Sequence, residues 1–126
     1  MDQRAASLRQ VSLEEFQAEV LEASFERPVL VDFWADWCAP CLVLAPLLER
    51  VAAEHAGELL VAKVEVDEGE NMKLAGRYRL RGFPTVILFR AGEERGRFSG
   101  ARSYQQILHF LAEHEVRAGG RASLHQ

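Results

Sequence analysis

Two stretches of this chain are apolar almost without a break: Pro28–Trp34 (Pro-Val-Leu-Val-Asp-Phe-Trp) and Leu59–Val66. A strand with one wet face alternates apolar and polar residues, so runs like these predict strands buried on both faces. Such strands need helices on either side, and the intervening sequence has them. Ser12-Leu13-Glu14-Glu15 reads as a capping box, after which Phe16, Val20 and Ala23 share one face of a helix ending near Ser24. A longer helix is predicted from near Cys38 to His55 and Ala56, stopped by Gly57, with Leu44, Leu47, Leu48 and Val51 inward. Pro46 inside it removes a backbone donor and predicts a kink. Asn71–Tyr78 reads as a short helix. Thr85–Phe89 and Glu94–Phe98 flank Ala91-Gly92-Glu93 as an antiparallel hairpin. Ser103-Tyr104-Gln105-Gln106 then caps a last helix with Ile107, Leu108 and Leu111 facing inward. Strands alternating with helices and closing on a hairpin predict one α/β domain, its sheet covered by helices on both faces.

The 126 residues fit a single domain spanning 8–116, with flexible ends expected over 1–7 and 117–126. The formal net charge of −4 argues against a nucleic-acid binder. Charge is split along the chain. Residues 1–70 carry 15 acidic and 5 basic residues (net −10), whereas residues 71–126 carry 4 and 10 (net +6). Either the two halves supply differently solvated faces, or a basic rim including Arg77, Arg79 and Arg81 steers acidic partners. No apolar run approaches the ~20 residues needed to span a bilayer, and the first residues lack the apolar core of a secretory signal. A cytoplasmic protein with no membrane partner is therefore expected.

Only two cysteines occur, at 38 and 41, so no structural disulfide framework is available. No further cysteine completes a zinc site, and His55 lies far along the helix, so no metal is expected. A pair at i and i+3 meets the disulfide requirement of Cα atoms roughly 4.4–6.8 Å apart once the first sits at a helix start. The unpaired N–H groups and macrodipole there stabilise an anion, which makes Cys38 the attacking thiolate and Cys41 the resolving thiol. Asp32, enclosed by Val31 and Phe33, is expected to be desolvated with a raised pKa, fit to act as a general base near neutral pH.

Val31-Asp32-Phe33-Trp34-Ala35-Asp36-Trp37-Cys38-Ala39-Pro40-Cys41 resembles the active-site segment of thioredoxins. Val61-Ala62-Lys63-Val64 with Asp67, Gly82-Phe83-Pro84-Thr85, Leu88-Phe89 with Gly92, and Gly100 extend the resemblance over about residues 8–115. It implies the thioredoxin fold, a central mixed sheet with helices on both faces. It also implies that Asp32 relays a proton with Cys41, that Lys63 pairs with Asp32, and that Pro84 is a cis-proline. Trp37, Gly82, Phe83, Pro84, Thr85, Gly100 and Ala101 would form a backbone-rich docking surface, and Ala39 and Pro40 would tune the potential. Trp34 reads as core packing.

Three departures stand out. Ala39 replaces the usual glycine between the cysteines, Leu42 replaces a common basic residue, and Asp67–Tyr78 runs about two residues long. The resemblance implies a protein-disulfide reductase, a monomer that maintains cellular redox balance. It would act on disulfide-containing clients, be recharged by a separate reductase and carry no bound cofactor. The rival readings are a chaperone-like client-binding module and an oxidase or isomerase running the same exchange in reverse.

Overall fold

The computed structural model describes residues 7–119, which form one five-stranded sheet with helices on both faces. In chain order the elements are β1 (Leu8–Gln10), α1 (Leu13–Phe16), β2 (Val29–Trp34), α2 (Ala39–Glu54), β3 (Leu60–Glu65), α3 (Met72–Arg77), β4 (Thr85–Arg90), β5 (Glu93–Ser99) and α4 (Tyr104–Glu113). The helix opened by α1 widens into a π-helical stretch, Gln17–Glu22, and tightens into a 3₁₀ turn, Ala23–Phe25. The strands lie in the order β1-β3-β2-β4-β5. The first three are parallel, while β4 and β5 run antiparallel as the hairpin requires.

The two apolar runs become β2 and β3 at the middle of the sheet, buried from both sides. Alternation along β2 separates two cores. Val29, Val31 and Phe33 pack with Phe16, Val20 and Leu74 on one face. Leu30 packs with Val61, Leu44, Leu48, Ile107 and Leu111 on the other. Asp32 keeps step with Leu30, so its side chain lies on the face covered by α2.

Two differences from the sequence reading are local. Leu47 and Leu108, both expected inward, are only half-buried, because Leu44, Leu48 and Val51 fill the inner face of α2 and Ile107 and Leu111 that of α4. The edge strand β1 was not foreseen; Leu8-Arg9-Gln10 is too short for alternation to show, and pairing with β3 creates it. Ser103 caps α4 as predicted, accepting from Gln106 N at 3.0 Å while its own N–H donates to Gln106 Oε1 at 2.9 Å. Pro46 lies within α2, which runs unbroken from Ala39 to Glu54.

The flexible ends expected over 1–7 and 117–126 fall mainly outside the described residues. Among those described, Ser7 accepts from Val61 N at 2.8 Å. No helix of the described residues is long and apolar enough to cross a membrane.

Candidate active site

Strand β2 ends at Trp34, and a short turn delivers Cys38 to the N-cap of α2. Cys38 and Cys41 form a disulfide across the first helical turn, with Cα atoms 5.3 Å apart. Cys38 has extended backbone, and its sulfur accepts from Cys41 N at 3.3 Å. Such a donor stabilises a thiolate on Cys38 when the pair is reduced. Of the two, Cys38 is the less enclosed, 5% exposed against 1% for Cys41. Ala39 and Pro40 are exposed in the first turn, where a proline costs no helical hydrogen bond.

Beneath α2, Asp32 is 1% exposed and neither carboxylate oxygen accepts a hydrogen bond from any of the described residues. A carboxylate held this way is penalised for charging. Burial pushes the Asp32 carboxyl up to about 7, although the nearby Lys63 charge pulls it down. Lys63 is opposite Asp32 in the β2–β3 register and is itself buried, with its ammonium 4.8 Å from the centre of the Trp34 ring. Trp34 is half-buried on the same face, and its indole N–H has no acceptor among the described residues.

The chain returns to this end of the sheet at the start of β4. Thr85 pairs with Phe33 on one side and Ser99 on the other. Immediately before it, the Phe83–Pro84 peptide bond is cis. Thr85 is buried and its hydroxyl donates to Gly82 O at 2.6 Å, closing the turn. Gly100 N donates to Pro84 O at 2.9 Å, and Gly100 has φ of 81°, which suits a residue lacking Cβ. Ala101 follows on the surface.

Trp37, 63% exposed, meets the Phe83 ring edge-on at 6.2 Å between centroids. Its indole N–H donates to Asp67 Oδ2 at 2.5 Å. The sequence reading matched Asp67 without giving it a place in the site. No local pattern marks that contact, which joins residues 30 positions apart. Val43, exposed beside Leu42, was also missed, although helical spacing from Ala39 places it on the same outer face.

A disulfide spanning one helical turn, at a helix start and at the end of a central strand, is the working site of a thiol–disulfide oxidoreductase. Comparison with known proteins narrows the class. The family model described as Thioredoxin matches residues 7–113. The thioredoxin of Acidithiobacillus ferridurans is 46% identical over 101 residues, covering 80% of this chain and 90% of its own. Those of Pseudomonas aeruginosa (43% over 96 residues; 76% and 85% covered) and Mycolicibacterium smegmatis (42% over 103; 82% and 90%) are similarly related. The chain belongs to the thioredoxin family.

Proposed function

We propose that this thiol–disulfide oxidoreductase works as a protein-disulfide reductase, with Cys38 as nucleophile and Cys41 as resolving thiol. The observation that carries the assignment is the unequal setting of the two sulfurs: Cys38 is the N-cap accepting from Cys41 N, and Cys41 is enclosed. In the reduced protein, the Cys38 thiolate attacks one sulfur of a client disulfide. A mixed disulfide forms, and the client's other sulfur leaves as a thiolate that takes a proton from water. Asp32, ionised, accepts the Cys41 proton. The Cys41 thiolate then attacks Cys38 Sγ, forms the internal disulfide and expels the second client sulfur, which is protonated in turn. Two electrons and two protons pass to the client.

Lys63 acts as a positioning charge that keeps ionised Asp32 accessible near neutral pH. Trp37, Phe83, Pro84, Thr85 and the backbone at Gly82, Gly100 and Ala101 form the surface against which the client segment lies. Ala39 and Pro40 fix the backbone between the sulfurs and so tune the potential. The protein acts as a monomer in the cytoplasm, without a bound cofactor, and a separate reductase returns it to the dithiol.

Insulin reduction driven by dithiothreitol tests the reading. The wild-type protein accelerates precipitation and Cys38→Ser does not; full activity in that variant would sink the assignment. Cys41→Ser, lacking the resolving thiol, should accumulate mixed disulfides on non-reducing gels.

A further inference from the structure

From Trp37 to Leu48 the chain has no charged, amide or hydroxyl side chain, although this stretch builds the outer as well as the inner face of α2. The inner face takes Cys41, Leu44 and Leu48. The outer face is left with Ala39, Leu42, Val43 and Pro46, all exposed and spaced three and four residues apart. Leu42 is 52% and Val43 62% exposed, and with Trp37 they are three of the five large hydrophobic residues most exposed among the described residues. Further along the helix the outer face turns polar at Glu49, Arg50 and Glu54. The apolar strip thus begins at the disulfide and stops about two turns later.

At the Trp37 end the strip meets carboxylates. Asp36 precedes Trp37 and Asp67 holds its indole. The Glu65 carboxyl is pushed up by burial and then by the charges of Glu68, Asp36 and Asp67, and Glu68 N donates to Glu65 O at 3.1 Å. Among the described residues no cation pairs with any of them.

We propose that the outer face of α2 at Leu42 and Val43, with the carboxylates around Trp37, is a docking surface for client segments bearing an aliphatic and a cationic residue beside their disulfide. The inference rests on the reductase reading and names its substrate class. A client sulfur reaching Cys38 must lie at the edge of this strip, so an adjacent aliphatic side chain is buried by the same encounter. A neighbouring lysine or arginine relieves the like-charge crowding around Glu65.

The test uses fluorescence-quenched peptides with one internal disulfide, flanked by Leu and Lys in both orders or by Ser and Glu. The wild-type protein should show kcat/KM about tenfold higher on the better Leu/Lys peptide, the factor that covering parts of two aliphatic side chains supports. The ratio should fall towards one in Leu42→Ser/Val43→Ser, and should fall and lose its salt dependence in Asp36→Asn/Glu68→Gln. Each variant is read as a ratio, so a general loss of folded protein does not mimic the effect. A wild-type ratio of one overturns the proposal, as does a ratio untouched by both variants. A concentration-dependent dimer in sedimentation that is dissolved by Leu42→Ser would assign the strip to a second copy and overturn it as well. Failure to reduce either peptide would defeat the reductase reading itself.

Discussion

Asp32 lies on a central strand with no hydrogen-bond donor for either oxygen among the described residues, and the cost of that placement depends on pH. Its folded pKa of about 7 is well above the ordinary 3.8. Well below pH 3.8 the group is protonated in both folded and unfolded chains and costs nothing by this route. As pH rises towards 7 the unfolded chain releases the proton and the folded one retains it, so stability falls across that window and levels off above it. Asp32→Asn keeps the shape and removes the charge. In the oxidised protein it should raise unfolding free energy by on the order of 4 kcal/mol at pH 8, with the gain vanishing near pH 4. Urea denaturation at the two pH values measures this, and an equal gain at both would mean that charge burial is not the cause. The same variant should slow mixed-disulfide resolution above pH 7, where the wild-type carboxylate is ionised. Asp32 was legible because its strand neighbours are apolar. The burial of Lys63 was not, since it depends on the β2–β3 register.

The elements are held together by a few buried polar side chains. Asn71, just before α3, accepts from Leu13 N at 2.7 Å and donates to Glu65 O at 2.9 Å, tying the start of α1 to the end of β3. Asn71→Ala leaves both backbone groups without that partner and should cost about 2–3 kcal/mol in chemical denaturation. A loss below ~0.5 kcal/mol would show that water replaces the side chain at little cost. Ser24 makes a comparable tie, donating to Leu21 O at 2.7 Å and accepting from Gly92 N at 2.8 Å in the β4–β5 turn. Periodicity exposes helices and strands in the sequence, and capping residues expose some of their ends. Which polar residue locks two elements is invisible there, because Asn71 and Leu13 are 58 positions apart.

For the whole molecule, the sheet extends to the edge strand β1. Val61 N donates to Ser7 O and Val11 N to Lys63 O, each at 2.8 Å. Deleting residues 1–10 removes the Ser7 O acceptor of Val61 N and the Leu8–Gln10 pairing with β3, and should lower stability by roughly 1 kcal/mol for each backbone bond lost. Thermal unfolding of the truncated chain checks this, and an unchanged midpoint would place the domain start after β1. The sequence by itself determined that a buried sheet needs helices on both faces, that Cys38 and Cys41 meet at a helix start, and that Asp32 is desolvated. Each follows from residues close together in the chain, through periodicity, capping or immediate neighbours. Tertiary structure alone decided that Lys63 faces Asp32, that Asp67 holds Trp37, and that Leu42 and Val43 stay uncovered. Those depend on strand register and on which helix face the sheet leaves free, and neither is set by residues adjacent in the chain.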